Sequence, residues 1–353
     1  MNGHAIVVGG GIGGLAAAAR LLAHDWRVTV HERAAALPET GTALGIWPSA
    51  LRALDDLGLG ERARDLGPAP SGSTFLRADG RRIASLDVEA MRRRTGDAVR
   101  MLSRPALLGL LASALPPGAV RFGSEVSALG ELEDADVVLA ADGLGSGIRT
   151  ALFGGRYRAR YTGSTAWRGS ADGAIRAMTE TWGDGSLFGS TPRDGGRVNF
   201  YASALALETD RAPGGEAAAL RVHFGHWHRG VREVLDGLDE ASVLRHGLYY
   251  LDPPLPAYVR GRVALVGDAA HAMSPTLGRG GCEALLDGVS VADCLIAHST
   301  VEAALAAYDA RRRGPTQRLA RAASLTSRMV HLRGFTTLRD VAMKVALRSA
   351  PLG

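Results

Sequence analysis

The apolar, β-branched run over residues 5–8 stops abruptly in Gly9-Gly10-Gly11, and an alanine-rich stretch over residues 15–22 follows with helical composition. Residues 27–31 then alternate as a second strand that closes on Glu32. This strand, helix and strand, about thirty residues in all, fit a right-handed parallel crossover. Gly9, Gly11 and Gly14 stand as G-x-G-x-x-G at its first turn. The first glycine permits the tight turn and the second lets a pyrophosphate approach the backbone. The third allows close packing of helix on strand, and Glu32 can accept hydrogen bonds from ribose hydroxyls. Glycines, strand, helix and acid together predict dinucleotide binding, and they leave the choice between NAD and FAD open.

With 353 residues the chain is long enough for two domains of roughly 100 to 200 residues, each with its own core. Its 46 glycines predict many tight turns or close backbone approaches. The formal charge of +5 comes almost wholly from scattered arginines, Lys344 being the only lysine. No basic stripe interleaved with aromatics accompanies it, which argues against a nucleic-acid partner, while an anionic cofactor suits the charge. Cys282 and Cys294 show neither disulfide-framework nor metal-ligand spacing and point to a reducing, cytoplasmic setting. The opening 22 residues include Arg20, lack a basic leader region and are broken by glycines, so they read as neither signal peptide nor membrane span.

No linker splits the chain into consecutive halves, so a second domain has to be inserted into the first. Residues 100–115 read as a helix, 136–141 and 262–266 as strands, and 73–86 as a hairpin around Asp79 and Gly80. Residues 161–250 mix strand-like runs with glycine turns, and helix formers dominate from Gly281 onward. The expected fold is α/β: a Rossmann-like cofactor domain built from 1–72, 99–158 and 259–315, an inserted β-rich substrate domain from 73–98 and 159–258, and a C-terminal helical segment, 316–353.

Two further motifs select the cofactor. Asp142-Gly143, with Ser146 and Arg149, follows one apolar strand, and Gly267-Asp268-Ala269-Ala270-His271 follows another. With the first glycine motif they resemble the three fingerprints of the class A flavoprotein monooxygenases, the para-hydroxybenzoate hydroxylase-like family, in the right order over nearly the whole chain. The resemblance implies FAD, with NADPH or NADH as electron donor. One atom of O2 would be inserted, through a flavin C4a-hydroperoxide, into an aromatic or polycyclic small molecule of the specialised-metabolite kind. A same-fold reductase that does not use O2 and a non-catalytic FAD sensor are the alternatives.

The resemblance implies that Asp268 binds the ribityl or pyrophosphate part of FAD and that Pro275 packs beside the isoalloxazine. After Gly278, the backbone at Gly280, Gly281 and Cys282 would face the pyrimidine ring, where a helix N-terminus can stabilise negative charge on the reduced flavin. Arg104 resembles the arginine that helps hold the FAD phosphates, and Asp142 the aspartate linked to both FAD and nicotinamide binding. Arg33 and Val126 are counted with the cofactor-binding residues. The family often has Gln and Asn where this chain has Arg279 and Cys282; the cysteine resembles the zeaxanthin epoxidase branch, and Arg279 either tunes the flavin or points to solvent. The hairpin common in the family between Val126 and Asp136 is missing. Trp182, Tyr201, Phe224 and His246 are candidate substrate-pocket residues, alongside Phe188 and Tyr249. No side chain is assigned as catalytic, and a loop over residues 41–45 is a plausible moving edge. His223, His226 and His228 lack the partners of a metal site, and the hydrolase, kinase and flavin-halogenase motifs are missing from the sequence.

Overall fold

A computed structural model describes residues 3–210 and 212–349. The first sheet is built from β1 (His4–Val8), β2 (Arg27–Glu32), β7 (Val120–Phe122), β8 (Val137–Ala140), β14 (Val259–Arg260) and β15 (Val263–Leu265), in the order β14-β15-β8-β1-β2-β7. All its pairings are parallel except β14 with β15 at the edge. The centre strands β1 and β8 are almost continuously apolar and buried, as strands covered on both faces must be.

Helix α1 (Ile12–Leu22) follows the glycine turn and is buried along nearly its whole length. It lies against the later helix α10 (Gly280–Ala297) with backbone almost touching backbone. A Cβ at Gly288 would lie 2.2 Å from the Gly13 carbonyl oxygen, and one at Gly13 would lie 2.8 Å from the Ala284 carbonyl oxygen. Helices α2 (Pro48–Asp56) and α3 (Gly60–Leu66) pack beside this pair in a core containing Leu15, Leu51, Leu54, Leu107 and Leu285.

The second sheet runs β13-β9-β12-β11-β10-β4-β5. The hairpin β4 (Ser73–Arg77) and β5 (Arg82–Leu86) is joined to β9 (Arg158–Ala171), β10 (Met178–Trp182), β11 (Ser186–Pro192), β12 (Val198–Leu205) and β13 (Leu244–Asp252). Between the two sheets β3 (Ala43–Ile46) pairs with β6 (Arg100–Ser103). Helices α7 (Glu216–Phe224) and α8 (Arg229–Asp236) cover one face of the second sheet, closing on Trp167, Phe188, Phe200 and Trp227. The opposite face looks toward β3, where the Ala43 N–H donates to Asn199 Oδ1 at 2.9 Å.

Three sequence expectations change. Residues 100–103 are strand β6 and not helix: Pro105 at the first turn fixes the start of α5 (Arg104–Ala112), Ser103 caps it, and the residues before a proline favour extended backbone. The loop over 41–45 is half strand, since Ala43, Leu44 and Gly45 belong to β3. The boundary drawn at 315/316 falls inside α11 (Val301–Val330), which passes through Pro315 without ending. The remaining helices are α4 (Val88–Thr95), α6 (Gly147–Phe153), the short α9 (Asp268–His271) and α12 (Thr336–Ser349).

The α1–α10 contact predicts that Gly288→Ala destabilises the protein by about 3 kcal/mol, because backbone cannot yield as a side chain can. Gly109→Ala, on an open surface of α5 with nothing within 4 Å of the added carbon, should be neutral or slightly stabilising. Urea unfolding of the two variants beside the parent checks both.

Candidate active site

The carboxyl ends of β1, β2, β8 and β15 meet at one edge of the first sheet. Gly9 has φ +110°, and a Cβ there would sit 2.3 Å from the Ala141 carbonyl oxygen, so the end of β1 lies directly against the loop after β8. A Cβ at Gly14 would lie 2.1 Å from the Gly9 carbonyl oxygen. At Gly11, by contrast, a Cβ would meet nothing within 4 Å, and no side chain caps the helix that Gly11 opens. Open space thus stands before the free N–H groups of α1, the arrangement that receives a phosphate. The Glu32 carboxylate accepts from the Gly10 N–H at 2.7 Å and the Ala34 N–H at 2.8 Å, with lone pairs left for hydroxyl donors. Arg33 is exposed beside it, and Val126 is half-buried in the loop after β7.

Across the turn, Asp142 Oδ2 accepts from the Ile148 N–H at 3.2 Å, while its buried Oδ1 has no partner among the described residues. Arg149 is a buried brace: it donates to the carbonyls of Leu144 at 2.7 Å, Tyr157 at 3.0 Å and Ala269 at 3.1 Å. It therefore ties the loop after β8 to the turn after β15. Burial pushes its pKa down, against the charges of Asp142 and Asp268. In that second turn Gly267 has φ +63°, and Asp268 is exposed toward the glycine edge at the start of α9.

A buried carboxylate holds this turn from behind. Asp287 of α10 accepts from the Gly267 N–H at 2.9 Å, from His271 Nε2 at 2.5 Å and from Arg312 Nε at 2.5 Å. Arg312 also donates to Glu283 at 2.6 Å. Burial alone would raise the Asp287 pKa, but His271 and Arg312 outweigh it and hold it below the usual range. For His271, burial works downward and the Asp287 charge prevails, so its pKa is raised. The sequence gives a faint signal of this network: an aspartate inside an otherwise apolar helical run implies a buried partner, although nothing in the order of residues names it.

After Pro275–Leu277, Gly278 turns the chain with φ +60° into α10. Gly280 is open, and a Cβ at Gly281 would contact Ile12 at 3.4 Å and Leu44 at 3.6 Å, so this helix start lies over the glycine turn. Cys282 Sγ donates to the Gly45 carbonyl at 3.2 Å, and burial pushes its thiol pKa up to about 11. Arg279 does not point freely into solvent: its guanidinium lies 5.2 Å over the Trp47 ring and bridges to Glu283 at 3.0 Å. Arg104 is exposed at the start of α5.

The facing side of the second sheet supplies the rest of the cleft. Glu180, Gly189, Tyr201 and Arg168 stand directly opposite one another on β10, β11, β12 and β9, with Trp182 and His246 in the next row on the same face. Gly189 makes the row work: a Cβ there would be 2.0 Å from the Tyr201 ring, so only glycine lets that ring cross β11. The Tyr201 hydroxyl then donates to Glu180 Oε2 at 2.7 Å, and the Trp182 indole N–H donates to Oε1 at 2.6 Å. Burial raises the Glu180 pKa and, with the Glu180 charge, raises that of Tyr201 well above its usual value. Half-buried Arg168 makes no hydrogen bond or ion pair with a described residue. Its pKa is lowered first by burial and then by Arg104, which places the two guanidiniums near each other. His246 is exposed along the cleft, yet desolvation by the surrounding protein, with Arg168 second, holds its imidazole down to about 4.

Phe224 does not belong to this group. It sits fully buried on α7 behind the sheet, with its ring 5.5 Å from Phe188 and 4.9 Å from Trp227, because the covering helix needs an apolar ridge there. Phe188 shares that far face. Tyr249 is turned to Glu208 at the other edge. Glu180 and Arg168 went unread in the sequence. Their only sign was a charged residue inside a strand-like run, Glu180 between two threonines and Arg168 between Trp167 and Gly169, which surface strands show equally.

Residues 3–152 and 230–323 match the family described as FAD binding domain. The chain is 30% identical over 324 residues to aurachin C monooxygenase/isomerase of Stigmatella aurantiaca, covering 87% of this chain and 84% of that protein. It is 32% identical over 351 residues to 3-amino-4-hydroxybenzoate 2-monooxygenase of Streptomyces cremeus, covering 92% and 87%. HpxO of Klebsiella pneumoniae, solved with FAD and uric acid, superposes with a TM-score of 0.86 at 26% identity, covering 98% of this chain and 93% of that one. No helix among the described residues is long and apolar enough to cross a membrane. The chain belongs to the class A flavoprotein monooxygenases, para-hydroxybenzoate hydroxylase-like enzymes that bind FAD, draw electrons from NAD(P)H and hydroxylate aromatic molecules with O2.

Proposed function

We propose that this monooxygenase acts on a phenol-type aromatic molecule held as its anion against the cleft face of the second sheet. The observation that carries this reading is Arg168, a half-buried guanidinium without a partner among the described residues, in the same row as the Tyr201–Glu180 pair. An unpaired cation in such a place is costly, and an anionic substrate relieves that cost. The relatives named for 3-amino-4-hydroxybenzoate and the structure holding uric acid concern acidic ring compounds, which supports the same class. We place the enzyme in the cytoplasm, where its reductant is made and where its two free cysteines stay unbridged.

Bound FAD would supply the electron transfer and oxygen activation. The N–H groups at Gly11 and the start of α1 would receive its pyrophosphate, Glu32 would hold a ribose, and Arg104 would add charge near the phosphates. Asp142 Oδ1, buried and unpaired, and Asp268 accept from hydroxyl or amide donors, while the start of α10 faces the flavin's pyrimidine edge. On the substrate side, Tyr201 can take the phenol proton on its hydroxyl oxygen while passing its own to Glu180 Oε2. Arg168 stabilises the resulting phenolate, whose electron-rich ring is the form open to an electrophilic oxygen. Trp182 fixes the Glu180 carboxylate through its other oxygen.

Oxygen uptake matching NAD(P)H oxidation and hydroxylated product over a panel of phenols tests the reading; undiminished turnover of the aromatic substrate without oxygen would overturn it. Arg168→Gln should raise KM for ionised phenols roughly 10- to 100-fold and leave uncharged ring analogues little changed. Because the relay needs ionised Glu180, kcat should fall as pH drops through that group's raised pKa, and Glu180→Gln should remove this acid limb while lowering kcat about 100-fold.

Asp268→Ala should give folded, largely colourless protein with unchanged urea stability of the flavin-free form, since Asp268 is exposed. Asp287→Ala should lose flavin and also about 3–5 kcal/mol of stability, because it strands Arg312 and His271. Visible absorbance per chain, together with unfolding curves, separates the two outcomes.

A further inference from the structure

Helix α11 passes into α12 through a sharp corner at Gly334 and Phe335, with φ values of +71° and +50°. A positive φ is unusual for a bulky residue and marks a place where the surrounding structure imposes it. The phenylalanine held there is 79% exposed. Leu332, Leu338 and Val341 continue the pattern at three-residue spacing, 43%, 68% and 52% exposed, and form an apolar strip on the outer side of the corner.

The inner side is anchored. The Gly334 N–H donates to Asp184 Oδ1 at 2.7 Å, and Arg339 donates to the Gly183 carbonyl at 2.6 Å while lying 5.3 Å over the Trp182 ring. Asp340 pairs with Arg77 at 2.6 Å, and Met343 is buried against the second sheet. The outward strip therefore belongs to a docked element, and burying it against the sheet would require breaking these contacts.

Along this stretch of chain the charge is mostly positive. Between residues 311 and 344 the sole acidic residue is Asp340, which is buried, while Arg321, Arg328, Arg333 and Lys344 are exposed. Asp184, an exposed carboxylate at the corner, accepts from the Gly334 N–H, and the exposed cations outnumber it. A protruding aromatic ring and leucines flanked by arginines suit the headgroup region of an anionic bilayer. A second copy of the chain would set one basic face against another.

We propose that this corner docks on the surface of membranes containing anionic phospholipid, with Phe335 and Leu338 entering the headgroup region and the arginines meeting lipid phosphates. Trp182 lies on the cleft face beneath Arg339, so docking turns that end of the cleft toward the lipid.

The FAD-loaded full-length enzyme is sedimented with vesicles of phosphatidylcholine alone and of phosphatidylcholine with about one-third phosphatidylglycerol. The enzyme should partition to the anionic vesicles, leave the neutral ones largely unbound and be released by high salt. Phe335→Ser with Leu338→Ser, and separately Arg328→Glu with Arg333→Glu, should each weaken partitioning roughly tenfold or more. Flavin content and turnover of a water-soluble phenol should stay at parental levels. The proposal is overturned if the parent ignores anionic vesicles, if both variant pairs bind as the parent does, or if neutral vesicles bind equally well. It is likewise overturned if the serine pair only dissociates a dimer in sedimentation velocity, which would assign the strip to a second copy.

Discussion

The carboxylate of Asp287 ties together three successive parts of the chain: the turn after β15, the helix α10 and the long helix α11. Its two oxygens take the Gly267 N–H, the His271 imidazole and the Arg312 guanidinium. Burying such a group contributes little net stability by itself, since desolvation offsets most of the attraction. What it supplies is position. With Gly267 held by Asp287 and Arg149 bracing the loop after β8, Asp142 and Asp268 are held in place beside the glycine turn.

The second sheet divides its work between two faces. Behind it, Trp167, Phe188, Phe200 and Phe224 form a dry aromatic core under α7 and α8. In front, Glu180, Tyr201 and Arg168 share one row, and Trp182 and Leu187 in the next row join Val330 and Met343 in a smaller apolar cluster. Glu180 and Tyr201 satisfy each other across Gly189, whereas Arg168 is left without a partner. The period of two in each strand thus separates an apolar support from a face that carries charge, and the missing side chain at Gly189 lets the Tyr201 hydroxyl reach Glu180 across β11.

The C-terminal helices serve both ends of this arrangement. Arg312 reaches into the cofactor edge from α11, while the corner that follows clamps Trp182 at the far end of the cleft. The two helices joined at that corner therefore tie the glycine edge of the first sheet to the second sheet, and the outward surface of the corner carries the apolar strip. The α1–α10 contact, with Gly13 against Gly288, keeps the same assembly compact on the other side.

Much of the cofactor half was legible in the sequence, because its signals are local. A glycine triplet after an apolar strand, an acid at the end of the next strand, and Gly-Asp after a third are dictated by backbone geometry within a few residues. The extent of β6 was misread because strand pairing with β3 overrides helical composition, and Phe224 because an aromatic in a helix does not disclose which side of a sheet it will cover. The sequence by itself determined the parallel βαβ frame and the kind of molecule it grips, since short-range sterics leave few alternatives. Tertiary structure alone decided that Glu180, Tyr201 and Arg168 share one row and that Asp287 meets Arg312, since contacts between distant strands and helices depend on register and packing, which no local pattern encodes.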